Sequence, residues 1–225
     1  MKIAIFGGTF DPIHAGHMAA AAAALRRFHL DRVLFVPTGN PPHKIYEQLT
    51  DYAQRFAMVA VACANEPRFV PSTIEAPTAD GSPRYSIDTV RALRRKLRQH
   101  DQLFFLVGAD AFLDLPHWKE FRRLLDAVEF IVVSRPGFDA GVLRQVPPPD
   151  LLPARRFVQH SESLRLRHGA IHLLPGVEAA VASREIRQAV RARKPITGLV
   201  PKLVEEYILK ERLYGANSSV KRSHR

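Results

Sequence analysis

Cysteine is nearly absent from this 225-residue chain: Cys63 stands alone, so no internal disulfide and no CxxC-type zinc or redox site can form. Such usage fits a reducing cytoplasm. No stretch approaches the roughly 18 consecutive apolar residues that span a bilayer. The apolar run at Met1–Gly8 is too short for the core of a signal peptide. Acidic residues are also scarce, 22 against 33 Lys and Arg, giving a formal net charge of +11. Such an excess favours anionic partners without choosing among nucleic acid, an anionic membrane and a phosphorylated small molecule. No internal repeat is evident. Two common nucleotide signatures are missing: no GxGxxG follows the first apolar run, and GxxxxGK[ST] occurs nowhere.

What the chain does have is alternation. Apolar runs at 2–7, 32–36, 69–74, 102–107, 129–133 and 170–174 read as strands. Segments 16–29, about 50–64 (capped by Thr50 or Asp51), 86–99, 119–126, and stretches opening near Ser183 and Pro201 read as helices. Strand–helix repetition predicts an α/β protein with a doubly wound, mostly parallel sheet. Ligands bind such sheets beyond the carboxyl ends of the strands, where the strand order reverses. At about 150 residues per domain, 1–214 reads as one domain. Within it, 138–169 reads as a surface excursion, and 215–225 as a basic, disordered tail. The arginines between 91 and 98 read as a solvated helix face without a site role.

Directly after the first strand comes Gly7-Gly8-Thr9-Phe10-Asp11-Pro12-Ile13-His14-Ala15-Gly16-His17. Glycines without side chains let an anion approach backbone N–H groups. His14 and His17, spaced i, i+3 at a helix start, can face one point together with the helix dipole. These groups make an oxyanion cradle. A metal pair is the rival, but only Asp11 is near enough in sequence to add a ligand.

This string resembles the signature GxFDPxHxGH of a nucleotidyltransferase superfamily. Downstream, Val181-Ala182-Ser183-Arg184-Glu185-Ile186-Arg187 resembles the superfamily's second signature, ISSTxIR. Ala182 stands where that signature has a hydroxyl, and Arg184 where Thr is common. Ser183 suits a helix cap, and Arg187 lies one turn on. Between these, Pro83-Arg84-Tyr85-Ser86-Ile87-Asp88-Thr89, Gly108-Ala109-Asp110-Ala111-Phe112 with the lone Trp118, and Ser134-Arg135-Pro136-Gly137 resemble segments of the bacterial nicotinate-nucleotide adenylyltransferases. The likeness runs from Lys2 to about Tyr214 and is weakest over 138–169.

The resemblance implies a Rossmann-like nucleotidyltransferase fold and an enzyme of NAD biosynthesis. Its reaction would move AMP from ATP to nicotinate mononucleotide, with Mg²⁺ entering alongside ATP and no protein metal site. It implies His14, His17 and Arg187 as catalytic residues, and Gly7, Gly8, Thr9, Phe10, Lys44, Arg135 and Ser183 as ATP contacts. Ser86, Asp110, Trp118 and Lys119 would receive the mononucleotide: Trp118 by stacking, and Ser86 and Lys119 through backbone amides. Asp110 suits a ribose or a hydrated metal, and equally a helix cap. Pantetheine-phosphate or nicotinamide-mononucleotide adenylyl transfer are the alternatives, with a basic nucleic-acid-binding protein as the reading from another class. No specific nucleic acid and no membrane is expected as partner, and a homo-oligomer is left open.

Overall fold

The computed structural model describes residues 1–40, 49–134, 140–152, 163–176 and 181–215. Seven strands form one sheet in the order β3-β2-β1-β4-β5-β7-β6. These are β1 Lys2–Gly8, β2 Arg32–Pro37, β3 Phe69–Pro71, β4 Gln102–Gly108, β5 Glu129–Val133, β6 Ser163–Leu166 and β7 Gly169–Leu174. All pairs are parallel except β6 against β7. The chain builds outward from β1 to β3, then returns to lay β4 beside β1, with Lys2 opposite Gln102 and Phe6 opposite Leu106. The order therefore reverses between β1 and β4, which opens a crevice at their carboxyl ends.

Both faces of the sheet are covered, which is why its central strands are continuously apolar rather than alternating. Ala4, Phe6, Phe104, Leu106 and Ile131 point to one side. There α1 (Ala15–Arg27), α2 (Tyr52–Cys63), α6 (Ser183–Arg191) and α7 (Lys202–Lys210) complete the core. Ile3, Ile5, Leu103, Phe105, Val107 and Phe130 point to the other side. That core is closed by α3 (Ser86–Arg94), α4 (Ala109–Leu113) and α5 (Phe121–Ala127). Ala20, Ala21 and Ala24 are the buried stripe of α1, small enough to seat it directly on the strands.

Several elements differ from expectation for identifiable reasons. The strand expected over 69–74 ends at Pro71, which lacks an N–H for the ladder and lies at the sheet edge. The helix expected to reach Gln99 stops at Arg94. There the Arg94 guanidinium donates to the carbonyls of Ala127 (2.8 Å) and Asp101 (3.1 Å), and the Arg98 N–H donates to the Asp101 carboxylate (2.9 Å). Nor are these arginines simply a solvated face, because Arg91 also pairs with Glu120 at 2.7 Å and ties α3 to the start of α5. In the segment read as a surface excursion, Leu143, Val146 and Leu151 pack into the core and β6 adds an antiparallel edge. Short 3-10 turns carry the first of these residues, and such turns show no apolar period. Residues 153–162 of that segment, and 216–225 of the tail, lie outside the described residues.

Candidate active site

A cavity of about 670 Å³ opens over the carboxyl ends of β1 and β4. Its wall includes Gly7, Gly8, Thr9, His14 and His17 on one side and Ser86, Asp110, Trp118 and Lys119 on the other, with Ser183 at its rim. Ten residues from distant parts of the sequence thus meet where the strand order reverses. Lys44 and Arg135 lie outside the described residues.

The β1 loop is held from below by buried charge. Arg55 on α2 is 2% exposed and donates to the carbonyls of Thr9 (2.8 Å), Thr50 (2.8 Å) and Gly39 (3.4 Å). Asp11, equally buried, accepts from Tyr214 Oη at 2.6 Å and from the Thr50 N–H at 3.1 Å. A guanidinium spends its donors on carbonyls that would otherwise be buried unpaired, so the loop keeps its shape without a ligand. Phe10, expected at ATP, turns into the core instead. Its backbone is left-handed (φ 49°), and its ring lies edge-on to Phe6 and His17. A Cβ on Gly8 would stand 3.1 Å from that ring, so packing against Phe10 is by itself a reason for glycine at this position.

His14 precedes α1 at the N-cap position and His17 sits in its first turn. The rings stack with centroids 3.7 Å apart, and the His14 N–H donates to Nδ1 of His17 at 3.2 Å. With Nδ1 accepting, the proton of a neutral His17 ring belongs on Nε2. Burial, and then the adjacent His14, hold the His17 pKa down to about 3, so the ring is neutral at physiological pH. The site thereby offers an N–H donor without a permanent charge. The helix start is less open than expected, since the Ala15 N–H is taken by the Leu199 carbonyl at 2.9 Å.

The second signature meets the first directly. Ser183 is the first residue of α6 and not its cap, a position occupied by Ala182. Its hydroxyl donates to the Pro12 carbonyl at 2.9 Å, and Arg187 Nη1 donates to the Asp11 carbonyl at 2.6 Å. Arg187 therefore braces the loop from behind, while Arg184 is exposed. The Ala182 N–H donates to Glu185 Oε2 at 3.2 Å, which supplies half of a capping box without a hydroxyl.

On the opposite wall, Trp118 packs edge-on against Phe105, with ring centroids 5.9 Å apart, and borders the cavity. Ser86 opens α3, where first-turn amides lack intrahelical partners. Lys119 Nζ lies 4.2 Å over the Tyr85 ring and 3.5 Å from the Asp88 carboxylate. Asp110 sits inside the first turn of α4 while Gly108 takes the N-cap position, so it does not cap a helix starting at Ala111.

Among the cavity residues to which sequence reasoning gave no role, Glu75 and Arg84 stand out by their charge and burial. Glu75 is 6% exposed and accepts from Thr89 Oγ1 at 2.7 Å; burial pushes its carboxyl up to about 7, against the pull of Thr89 and Arg84. Arg84 shares the same wall. The sequence signal for Glu75 was position alone, between β3 and α3, where a ligand-facing loop was expected, while Arg84 lay inside a segment that carries the family resemblance but was given no role of its own. Among the described residues no group of three or more His, Cys, Asp or Glu is arranged to hold a metal ion, and no helix is long and apolar enough to cross a membrane.

Comparison with known proteins identifies the family. The sequence profile of the cytidylyltransferase-like family matches residues 5–190. A protein of Geotalea uraniireducens named probable nicotinate-nucleotide adenylyltransferase is 37% identical over 217 residues, covering 95% of this chain and 98% of its own. One of the same name from Solibacter usitatus is 42% identical over 201 residues, covering 89% and 93%. Among solved structures, the nicotinic acid mononucleotide adenylyltransferase of Plasmodium falciparum complexed with NaAD superposes with a TM-score of 0.69. It is 18% identical over 95% of this chain and 97% of its own. With a profile match across most of its length and relatives this similar end to end, the chain belongs to the cytidylyltransferase-like family, in the branch of the nicotinate-nucleotide adenylyltransferases.

Proposed function

We propose that this protein transfers the adenylyl group of ATP to nicotinate mononucleotide, releasing pyrophosphate and nicotinate adenine dinucleotide. One observation carries the reading beyond the family match. A single cavity joins an anion cradle, built from neutral His17 and the Gly7–Thr9 backbone, to an aromatic pocket beside Trp118. An enzyme joining a triphosphate to an aromatic mononucleotide needs both halves within one chamber.

In this reading a phosphate oxygen of the mononucleotide attacks the α-phosphorus of ATP in line. The bond from that phosphorus to the bridging oxygen breaks as pyrophosphate leaves, so no enzyme nucleophile is required. The protein contributes position and charge stabilisation. His17 Nε2–H donates to the charge building on the phosphate oxygens, and His14 fixes its tautomer through the backbone N–H. Ser183 and Arg187 hold the loop that presents Gly7 and Gly8; reaching the phosphates themselves would require them to leave Pro12 and Asp11. Trp118 supports the pyridine ring, and the amides at Ser86 and Lys119 face its substituent.

Magnesium enters with the nucleotide: the donors at hand are single carboxylates such as Asp110, which suit a water-shell contact to a phosphate-bound ion rather than a cage. When bound, the ion neutralises phosphate charge. The test is pyrophosphate release with ATP, Mg²⁺ and each of nicotinate mononucleotide, nicotinamide mononucleotide and phosphopantetheine. Nicotinate mononucleotide should be the best acceptor. Release with phosphopantetheine alone would overturn the reading.

A further inference from the structure

A carboxylate accepts through both oxygens whereas a carboxamide turns an NH2 donor toward one of them, so backbone N–H groups already lean toward the acid and a cationic side chain beside them would sharpen that choice. Arg84 stands on the cavity wall just before Tyr85, the residue at the N-cap position of α3. It is half-buried, and its Nε–H is buried with no acceptor among the described residues. A buried donor left unpaired is costly, and a guanidinium fork matches a carboxylate in shape and charge. Trp118, Ser86 and Arg84 border the same cavity, so a ring lying against Trp118 can turn a carboxylate toward the start of α3, where the helix dipole also favours an anion. The other cation at this end, Lys119, is already compensated by Asp88.

Glu75 faces Arg84 across the wall, near enough for its charge to be felt but without a direct ion pair. The remaining groups that meet it are Thr89 from α3, which donates to its carboxylate, and Tyr52 from α2, whose hydroxyl is buried without a partner. Among the described residues, the loop after β2 meets it through the backbone of Gly39, where a Cβ would collide with the Glu75 carbonyl. Asp110, Asp114 and Lys119 share the cavity.

We propose that Arg84 is a specificity-determining residue, selecting acceptors whose ring carries a carboxylate over those carrying a carboxamide, with Glu75 as the counter-charge that tunes the selection. This rests on the adenylyl-transfer reading above. Ionised Glu75 competes with the ligand for Arg84, and protonated Glu75 leaves the guanidinium to the ligand. Selection for the acid is therefore stronger at pH 6 than at pH 8.

The experiment measures kcat/KM for nicotinate and nicotinamide mononucleotide at both pH values, in the unsubstituted protein and in Arg84→Gln, Arg84→Lys and Glu75→Gln. Both acceptors carry the same phosphate, so their ratio cancels its titration and any general damage to the fold. Arg84→Gln should lower the acid-to-amide ratio by about 10-fold or more, as for loss of one charge-assisted hydrogen bond. Arg84→Lys should fall between, because it keeps the charge and loses the fork. Glu75→Gln should hold the ratio at its pH 6 value across the range. A ratio that stays unchanged in both Arg84 variants overturns the proposal, as does a pH dependence that survives in Glu75→Gln. If the unsubstituted protein adenylylates neither pyridine mononucleotide, the adenylyl-transfer reading itself falls, and this one with it.

Discussion

The backbone N–H of His14 donates to Nδ1 of His17, and the two rings lie stacked with their centroids 3.7 Å apart. That contact sets which nitrogen of His17 keeps its proton, and burial keeps the ring from gaining a second one. His17→Ala should therefore lower kcat by about 10²-fold or more, the effect of removing one oxyanion donor. The mononucleotide KM should change little. Single-turnover kinetics separate the two, and unimpaired turnover would remove His17 from the mechanism.

The same depressed pKa has a consequence for stability. An unfolded His17 takes up a proton near its ordinary value of 6.5, while the folded one resists until about 3. The unfolded state thus binds more protons across that window, and stability falls as pH drops through it. His17→Gln should weaken the acid sensitivity of urea unfolding between pH 6.5 and pH 4 relative to the unsubstituted protein.

Glu75 works with the opposite sign. Its folded pKa of about 7 stands above the ordinary 4.5, so the neutral form is favoured by folding. That contribution is complete below 4.5 and is lost as pH rises through 7. Glu75→Gln, which is neutral everywhere, should gain thermal stability relative to the unsubstituted protein on moving from pH 5 to pH 8. A difference in Tm that does not vary with pH would show that the carboxyl is ionised throughout.

Trp118→Ala should raise the KM for the mononucleotide by about 10-fold, in line with the loss of one aromatic–ring stack, and leave the KM for ATP near its starting value. Steady-state kinetics with each substrate varied in turn checks this. A rise confined to ATP would place the pyridine elsewhere.

Tyr214→Phe removes the hydroxyl that donates to Asp11 at 2.6 Å, leaving a buried carboxylate with the Thr50 N–H as its remaining hydrogen-bond donor. Loss of a hydrogen bond to a charged group costs about 1.5–3 kcal/mol. Denaturant unfolding should show that cost. In the adenylyl-transfer reading proposed above, nucleotide affinity should fall as well, because Asp11 belongs to the loop that carries Gly7–Thr9 and His14.

Much of the fold was readable because buried parallel strands are written as unbroken apolar runs, and β5 falls where its run predicts, at Glu129–Val133. The cradle residues were readable because they are contiguous: one eleven-residue string carries the glycines and both histidines. What escaped has no period or depends on distant partners. The five residues of α4 follow β4 without a connecting loop, so no boundary signal separates them. Leu143 and Leu151 are buried from short 3-10 turns, which have no helical stripe to recognise. The direction of the Ser183 hydroxyl depends on Pro12, 171 residues away. Glu75 and Arg84 gain their meaning only when the loop carrying them folds over the start of α3.

Two bonds, from Ser183 to Pro12 and from Arg187 to Asp11, join the beginning of the chain to a helix near its end. During synthesis the first strand and its loop emerge long before α6 does. A ribosome-bound nascent chain therefore carries the complete histidine motif and still lacks the braces that shape it. Nucleotide-binding competence should appear late and abruptly, once Arg187 has cleared the exit tunnel, so that stalled or truncated products do not sequester ATP.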